Sequence, residues 1–141
     1  MAYTKTEWVN DSVPAINASN LNKIEQGIYD HAFESGSNAN GYYIKFYDGT
    51  LICWKKVSGE TTCNSAWGSM YETPRISLGD YPVAFISSPY ISITPISGSD
   101  IFFEGIRRTS TTNFGEARLA RPTSLDSLDY NINCIAIGRW K

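Results

Sequence analysis

The side chains able to do chemistry are few and scattered. The chain holds one histidine, His31, and three cysteines, Cys53, Cys63 and Cys134. A lone imidazole and thiols without CxxC spacing make no zinc signature. A Ser–His or Cys–His pair would have to recruit His31 from a segment of helical spacing. Nucleophile-elbow, Walker and HExxH spacings are all missing. Glu104 with Glu116, or Asp126 with Asp129, are pairs that glycoside acid–base chemistry could use, as are any two surface acids. The expectation is therefore no enzyme, no cofactor and no metal site within one chain. The odd set of cysteines reads as reduced, mostly buried thiols of a cytosolically made protein, with a Cys53–Cys63 disulfide as the alternative.

Aromatic residues are the stronger signal. The 141 residues include 4 Trp, 9 Tyr and 6 Phe. Phe46, Phe85, Phe102, Phe103 and Trp54 are expected in the core or at an interface, because large rings carry core energetics. Trp67, Tyr71, Tyr43 and Tyr47 stand in polar surroundings such as Asn64-Ser65-Ala66-Trp67-Gly68-Ser69. Rings beside amides, carboxylates and a guanidinium such as Arg107 suit sugars, whose C–H faces stack while their hydroxyls are hydrogen-bonded. Interior packing is the competing reading of each ring.

The elements that would carry these residues follow from composition. Hydrophobic residues make up 42% and charged residues 18%. That suits one compact domain with a short appendage. No apolar run approaches the roughly 20 residues that span a bilayer. The N-terminus shows no secretory h-region. A net charge of −2 argues against nucleic-acid binding, which needs a basic patch. Charge divides unevenly. Residues 1–41 carry two basic and five acidic side chains, and the remainder ten basic and nine acidic.

Residues 1–17 read as an extended arm with single aromatics. Asn17 reads as a helix N-cap. A helix is expected over 18–34, with Leu21, Ile24, Ile28 and His31 at 3-4-3 spacing. This narrow stripe resembles a coiled-coil seam, though a helix lying on its own domain fits equally. In a parallel trimer, three copies of His31 would face the axis, to hold an ion or a solvated layer. Residues 36–41 read as a linker by composition. A β-hairpin follows, with Asp48-Gly49 as a two-residue type I′ turn. That turn would pair Phe46 with Leu51 and Ile44 with Cys53. Tyr42, Ile44, Phe46, Leu51 and Cys53 would then form a core face, opposite Tyr43, Lys45, Tyr47, Ile52 and Trp54. Further strands are expected near 61–64, 70–78, 90–97, 101–109, 113–120 and 130–140, with Pro95 on an edge. The fold class is mainly β, a sandwich or barrel.

Several segments resemble known proteins. Trp8, Pro14 and Ile16-Asn17-Ala18-Ser19-Asn20-Leu21-Asn22-Lys23-Ile24-Glu25-Gln26-Gly27-Ile28 resemble a segment of phage and prophage tail or baseplate proteins of Gram-positive hosts. There it leads from an attachment arm into a helix. Gly41-Tyr42-Tyr43-Ile44-Lys45-Phe46-Tyr47-Asp48-Gly49-Thr50-Leu51-Ile52-Cys53-Trp54 is similar to the opening hairpin of the C-terminal tip domain of phage tail fibres. Tyr81-Pro82, Phe85 and Pro89 resemble its proline-phenylalanine-proline stretch, and Ile135-Ala136-Ile137-Gly138-Arg139-Trp140 resembles its closing strand. Cys53, Lys55 and Cys134 depart from that pattern. The resemblance implies an arm over 1–17, a trimeric coiled-coil helix over 18–35, a linker over 36–41 and an antiparallel β-sandwich head over 42–141, similar to H-type lectins. Leu21, Ile24, Ile28 and His31 would line the trimer axis. The implied role is a receptor-binding protein of the virion tail. Its partners would be a host-surface glycan, other copies of itself and, through the arm, other tail or baseplate proteins. A purely structural tail component and a glycan depolymerase are the alternatives.

Overall fold

The computed structural model describes residues 17–30, 33–96 and 102–141, with backbone alone for Asp30 and residues 102–104. The arm over 1–16 and His31 lie outside the described residues.

Asn17 caps helix α1, Ala18–Asp30, as expected. Its Oδ1 accepts the Asn20 N–H at 3.0 Å and its carbonyl accepts the Leu21 N–H at 2.9 Å. The described helix runs to Asp30, and by Phe33, before the expected helix end at 34, the chain is no longer helical. The reason is a strand. β1, Phe33–Asn38, pairs antiparallel with β2, Gly41–Phe46, from Phe33↔Phe46 to Asn38↔Gly41. The expected linker over 36–41 is thus the end of a strand, a tight turn and the start of the next strand. Its Asn and Gly residues are turn chemistry rather than spacer chemistry. Asn38 Oδ1 accepts the Asn40 N–H at 2.9 Å. Gly41 has φ +124°, and a Cβ there would lie 2.6 Å from the Trp54 carbonyl oxygen.

The next connection corrects the expected two-residue turn. β2 pairs with β3, Thr50–Cys63, with Tyr43 opposite Cys53 and Lys45 opposite Leu51. The loop is one residue longer than a type I′ hairpin. Gly49 N–H reaches the Phe46 carbonyl at 3.0 Å, and Gly49 takes φ +93°. This is a three-residue loop closed by a glycine in the left-handed region. One residue of slip turns the whole of β2 over. Tyr43 and Lys45 therefore share a face with Leu51 and Cys53, and Tyr42 and Ile44 lie on the other side with Ile52 and Trp54. The chain end clasps this loop: Trp140 Nε1 donates to the Phe46 carbonyl at 3.0 Å, and the Arg139 guanidinium donates to the Asp48 carbonyl.

Later strands complete two antiparallel sheets. β4 is Ser65–Trp67, β5 Met70–Glu72, β6 Ile76–Ser77, β7 Tyr90–Ile96, β8 Phe102–Arg107, β9 Glu116–Arg121 and β10 Leu125–Arg139. The first sheet has the order β1-β2-β3-β10-β7. Pro95 lies in β7, at the edge, where its missing N–H removes no bond from an interior ladder. In the second sheet β9 is central, with β8 on one side and β5 and β6 on the other.

The core lies between the sheets. Leu51 and Cys53 of β3 and Ile132, Cys134 and Ala136 of β10 meet Ile76, Ala117 and Leu119 from the second sheet. Leu78, Tyr81, Phe85 and Phe114 fill it from the loops. Tyr81 meets Phe85 edge-on at 4.8 Å and Phe114 at 4.4 Å. All three cysteines are buried and free, so Cys53 and Cys63 form no disulfide.

Candidate functional site

The aromatic residues singled out from the sequence do not form one platform. Tyr43 packs inward against the core. Its hydroxyl donates to Glu34 Oε1 at 2.9 Å, and Lys45 Nζ lies 5.3 Å above its ring. The hydrogen bond from Tyr43, then that from Lys45, holds the Glu34 carboxyl below its usual range. Tyr47 sits in the β2–β3 loop, its ring 4.0 Å from that of Tyr29 at the helix end. Trp67 is 49% exposed beside the β4–β5 turn. Tyr71 is next to it in space but on the opposite face of that hairpin, paired with Ala66 and Arg121. Arg107 ends β8 opposite Glu116. On the helix, Leu21 and Ile28 are exposed in the single chain and Ile24 is half-buried. Asp126 and Asp129 are exposed on β10, and Asp126 accepts a hydrogen bond from Asn64.

The two sheets present very different outer faces. On the first sheet, Tyr42 and Ile44 of β2, Ile52 and Trp54 of β3, and Ile135 and Ile137 of β10 point away from the core. Tyr90 of β7, opposite Ile137, is 89% exposed. The tilted pair Phe33 and Phe46, 6.5 Å apart, extends this surface toward the helix. Among the described residues the charges on this face lie toward its margins, with Arg139 at one end and Lys56, Glu60 and Asp129 toward the other. A groove of about 440 Å³ runs along it beside Tyr42, Trp54, Ser92 and Ile135.

The second sheet is laced with ion pairs. Arg118 pairs with Glu72, and Glu116 is shared by Arg75 at 3.1 Å and Arg108 at 3.4 Å. Beside Glu116 lies a hollow of about 240 Å³, lined by Ser77, Asp80, Arg108, Asn113 and Glu116 with Gly79 and Gly115. Its walls are fixed by backbone bonds: Phe114 N–H to the Gly79 carbonyl at 3.0 Å, and Leu78 N–H to the Gly115 carbonyl at 2.9 Å. Arg108 has φ +59°, the one non-glycine among the described residues in the left-handed region. Among the described residues no group of three or more His, Cys, Asp or Glu could hold a metal ion.

Neither surface was assembled by sequence reasoning. The alternation Ile135-Ala136-Ile137 signals a strand with one apolar outer edge, but not which strands join it. Asp80 and Asn113 meet only through an isolated backbone bridge, which has no local sequence signal.

This arrangement is a two-sheet antiparallel β-head. The C-terminal regions of R1 pyocin fibres share its fold. A P. aeruginosa R1 pyocin fibre comprising C-terminal residues 323–701 superposes with TM-score 0.54 at 16% identity, over 91% of this chain and 33% of that one. An N-truncated R1-type pyocin tail fibre gives TM-score 0.51 at 16% identity, over 89% and 99%. The chain thus spans about a third of the first fibre fragment. No protein-family model and no curated protein sequence matches. Among the described residues no helix is long and apolar enough to cross a membrane.

Proposed function

We propose that this chain is a receptor-binding protein of a phage or phage-derived tail, assembled as a homotrimer whose head adsorbs to a host-surface saccharide. The observation that carries the reading is the contrast between the two outer faces. Folded monomers rarely leave a broad apolar sheet face in water. The face of Tyr42, Trp54, Ile135, Ile137 and Tyr90 is apolar at its centre with its charges toward the margins, so a second copy of the same surface region can cover the centre while those charges stay at the rim. Packing repeated about a threefold axis closes into a ring. The helix supports the same occupant, since Leu21 and Ile28 are exposed in one chain and Ile24 is covered only in part. Phe33 and Phe46 extend the apolar face toward the helix, which supports a seam that continues from stem to head.

The second sheet then faces outward, and its fixed polar groups suit hydroxyl-bearing ligands. The arm over 1–17 serves attachment to other tail or baseplate proteins. Adsorption requires no bond to be broken. Sites of roughly millimolar affinity become effective through three copies per spike and many spikes per particle.

Light scattering on the purified chain, followed by binding to host cells and to isolated envelope polysaccharide, tests this. A trimer that binds cells and leaves the polysaccharide at its original size is expected. A stable monomer at micromolar concentration overturns the assembly. A trimer that binds no host surface would make the chain a structural tail component. Shortened polysaccharide would make it a depolymerase.

A further inference from the structure

The saccharide reading does not say where on the head the ligand sits or which kind of saccharide it is. We propose that the hollow between Ser77, Asp80, Arg108, Asn113 and Glu116 binds a neutral, hydroxyl-rich sugar unit of the host surface. The inference rests on the saccharide reading and goes beyond it in site and ligand class.

Three observations carry it. First, the hollow concentrates polar groups with unused capacity. The side chains of Ser77, Asp80 and Asn113 make no hydrogen bond among the described residues, although Asp80 and Asn113 are held side by side by a backbone bridge. A carboxylate accepts from two neighbouring hydroxyls, and a carboxamide both accepts and donates. Together they match adjacent ring hydroxyls, each of which must give one hydrogen bond and can take another.

Second, Asp80 is the carboxylate of the hollow that has no ion pair among the described residues. Glu116 takes Arg75 on Oε2 and Arg108 on Oε1. The two guanidinium groups share that one carboxylate, and the Lys55 ammonium stands behind Gly79, 6.0 Å from the Phe114 ring centre. An acidic sugar would meet the Asp80 carboxylate inside the hollow, whereas a neutral one meets fixed donors and acceptors. Arg108 is 69% exposed at the rim and keeps N–H groups free of Glu116 for a sugar oxygen.

Third, the hollow is built on constrained backbone and lies on the open side of the head. Gly79, Arg108 and Gly115 have φ of +74°, +59° and +87°. An arginine in that region is an unfavourable conformation that tends to persist at functional sites. A Cβ on Gly115 would lie 2.4 Å from the Arg107 carbonyl oxygen, so the wall tolerates no side chain. Ser77 and Glu116 belong to the second sheet, away from the apolar face, and so stay accessible in an assembly closed through that face. About 240 Å³ falls below the roughly 300 Å³ at which pockets bury drug-sized ligands, so the hollow takes one sugar unit of a longer chain.

The test is saturation-transfer NMR on the full chain, with glucose, galactose, mannose, rhamnose and N-acetylglucosamine as neutral probes and glucuronic acid and glucose 6-phosphate as acidic ones. At least one neutral probe should bind with little dependence on salt. Asp80→Ala and Asn113→Ala should each weaken it by roughly tenfold or more, as expected on loss of charge-assisted or paired hydrogen bonds. Thermal unfolding of each variant should match the parent, since the Asp80–Asn113 bridge is made by backbone. Should a variant unfold early, Asp80→Asn keeps shape and hydrogen bonding while removing charge, and its weakened binding then decides the point. Binding that survives both alanine variants but is lost in Trp67→Ala overturns the hollow and leaves saccharide recognition standing. Binding only of acidic probes, weakened by salt, overturns the neutral ligand class. A parent chain that binds no probe overturns the hollow, while adsorption to host polysaccharide separately decides the saccharide reading.

Discussion

Tyr42 stacks on Trp54 across β2 and β3, with ring centroids 5.7 Å apart and planes within 15°. Both rings are exposed and stand on the same outer face as Ile135. A charge placed in that face would lose its water if a second copy covers it, at a cost of several kcal/mol. Ile135→Glu is therefore expected to convert the assembly to monomers at micromolar concentration while the isolated head stays folded. Light scattering with circular dichroism checks both parts. An unchanged mass would move the subunit contact elsewhere.

The helix should matter less. α1 has 13 residues and includes Gly27 near its C-terminal end, so it is marginal as an isolated coiled coil. Ile24→Asp puts one charge per chain into the expected seam. A shift of the dissociation midpoint by roughly tenfold is expected, against complete loss for Ile135→Glu. Sedimentation across a dilution series reads the two variants side by side. If Ile24→Asp is the more damaging, assembly is driven by the stem.

These faces show what was legible in the sequence. Strand content, the Asn17 cap and the edge position of Pro95 each follow from local chemistry. The face assignment of β3 also follows, because Leu51 and Cys53 alternate with Ile52 and Trp54. The face of β2 does not, because it hangs on one loop residue: Asp-Gly suits a two-residue turn, yet Gly49 closes a longer one, with Arg139 and Trp140 clasping it from the chain end. No local pattern encodes that clasp. The Ser- and Gly-rich piece after the helix looked like a spacer because its strand has few side chains of its own. Its order comes from pairing with β2, where the Tyr43 ring lies over Gly36. The hollow at Asp80 was illegible for a similar reason, since its residues come from two separate stretches, 77–80 and 108–116.

Tyr81 offers a test of the core. Its hydroxyl is buried without a hydrogen-bond partner, and burial pushes its pKa above the usual phenol range. A buried hydroxyl left unpaired costs about 1–3 kcal/mol. Tyr81→Phe keeps the ring contacts with Phe85 and Phe114 and removes the orphan group. The variant should be at least as stable as the parent, by up to about 1 kcal/mol. Urea unfolding measures it, and a clear loss of stability would mean that the hydroxyl is partnered in solution.

The thiols predict the response to alkali. Burial pushes Cys53 and Cys134 from 9.0 up to about 11. Both pKa values are raised in the folded chain, so the folded state holds these protons more tightly than the unfolded one. Their stabilising contribution is complete below pH 9 and is lost as pH rises toward 11. Within that window each thiol lowers stability by at most about 1.4 kcal/mol per pH unit. Urea midpoints should therefore be flat from pH 7 to just below pH 9 and fall steeply above it. Cys134→Ala should flatten the fall by less than half, because burial also raises Cys63 and Tyr81, with a lower but less pH-dependent midpoint from its lost packing. At neutral pH neither thiol should react with iodoacetamide in the folded chain, because both are protonated and covered. Equal slopes in parent and variant would show that the alkaline transition belongs to other groups.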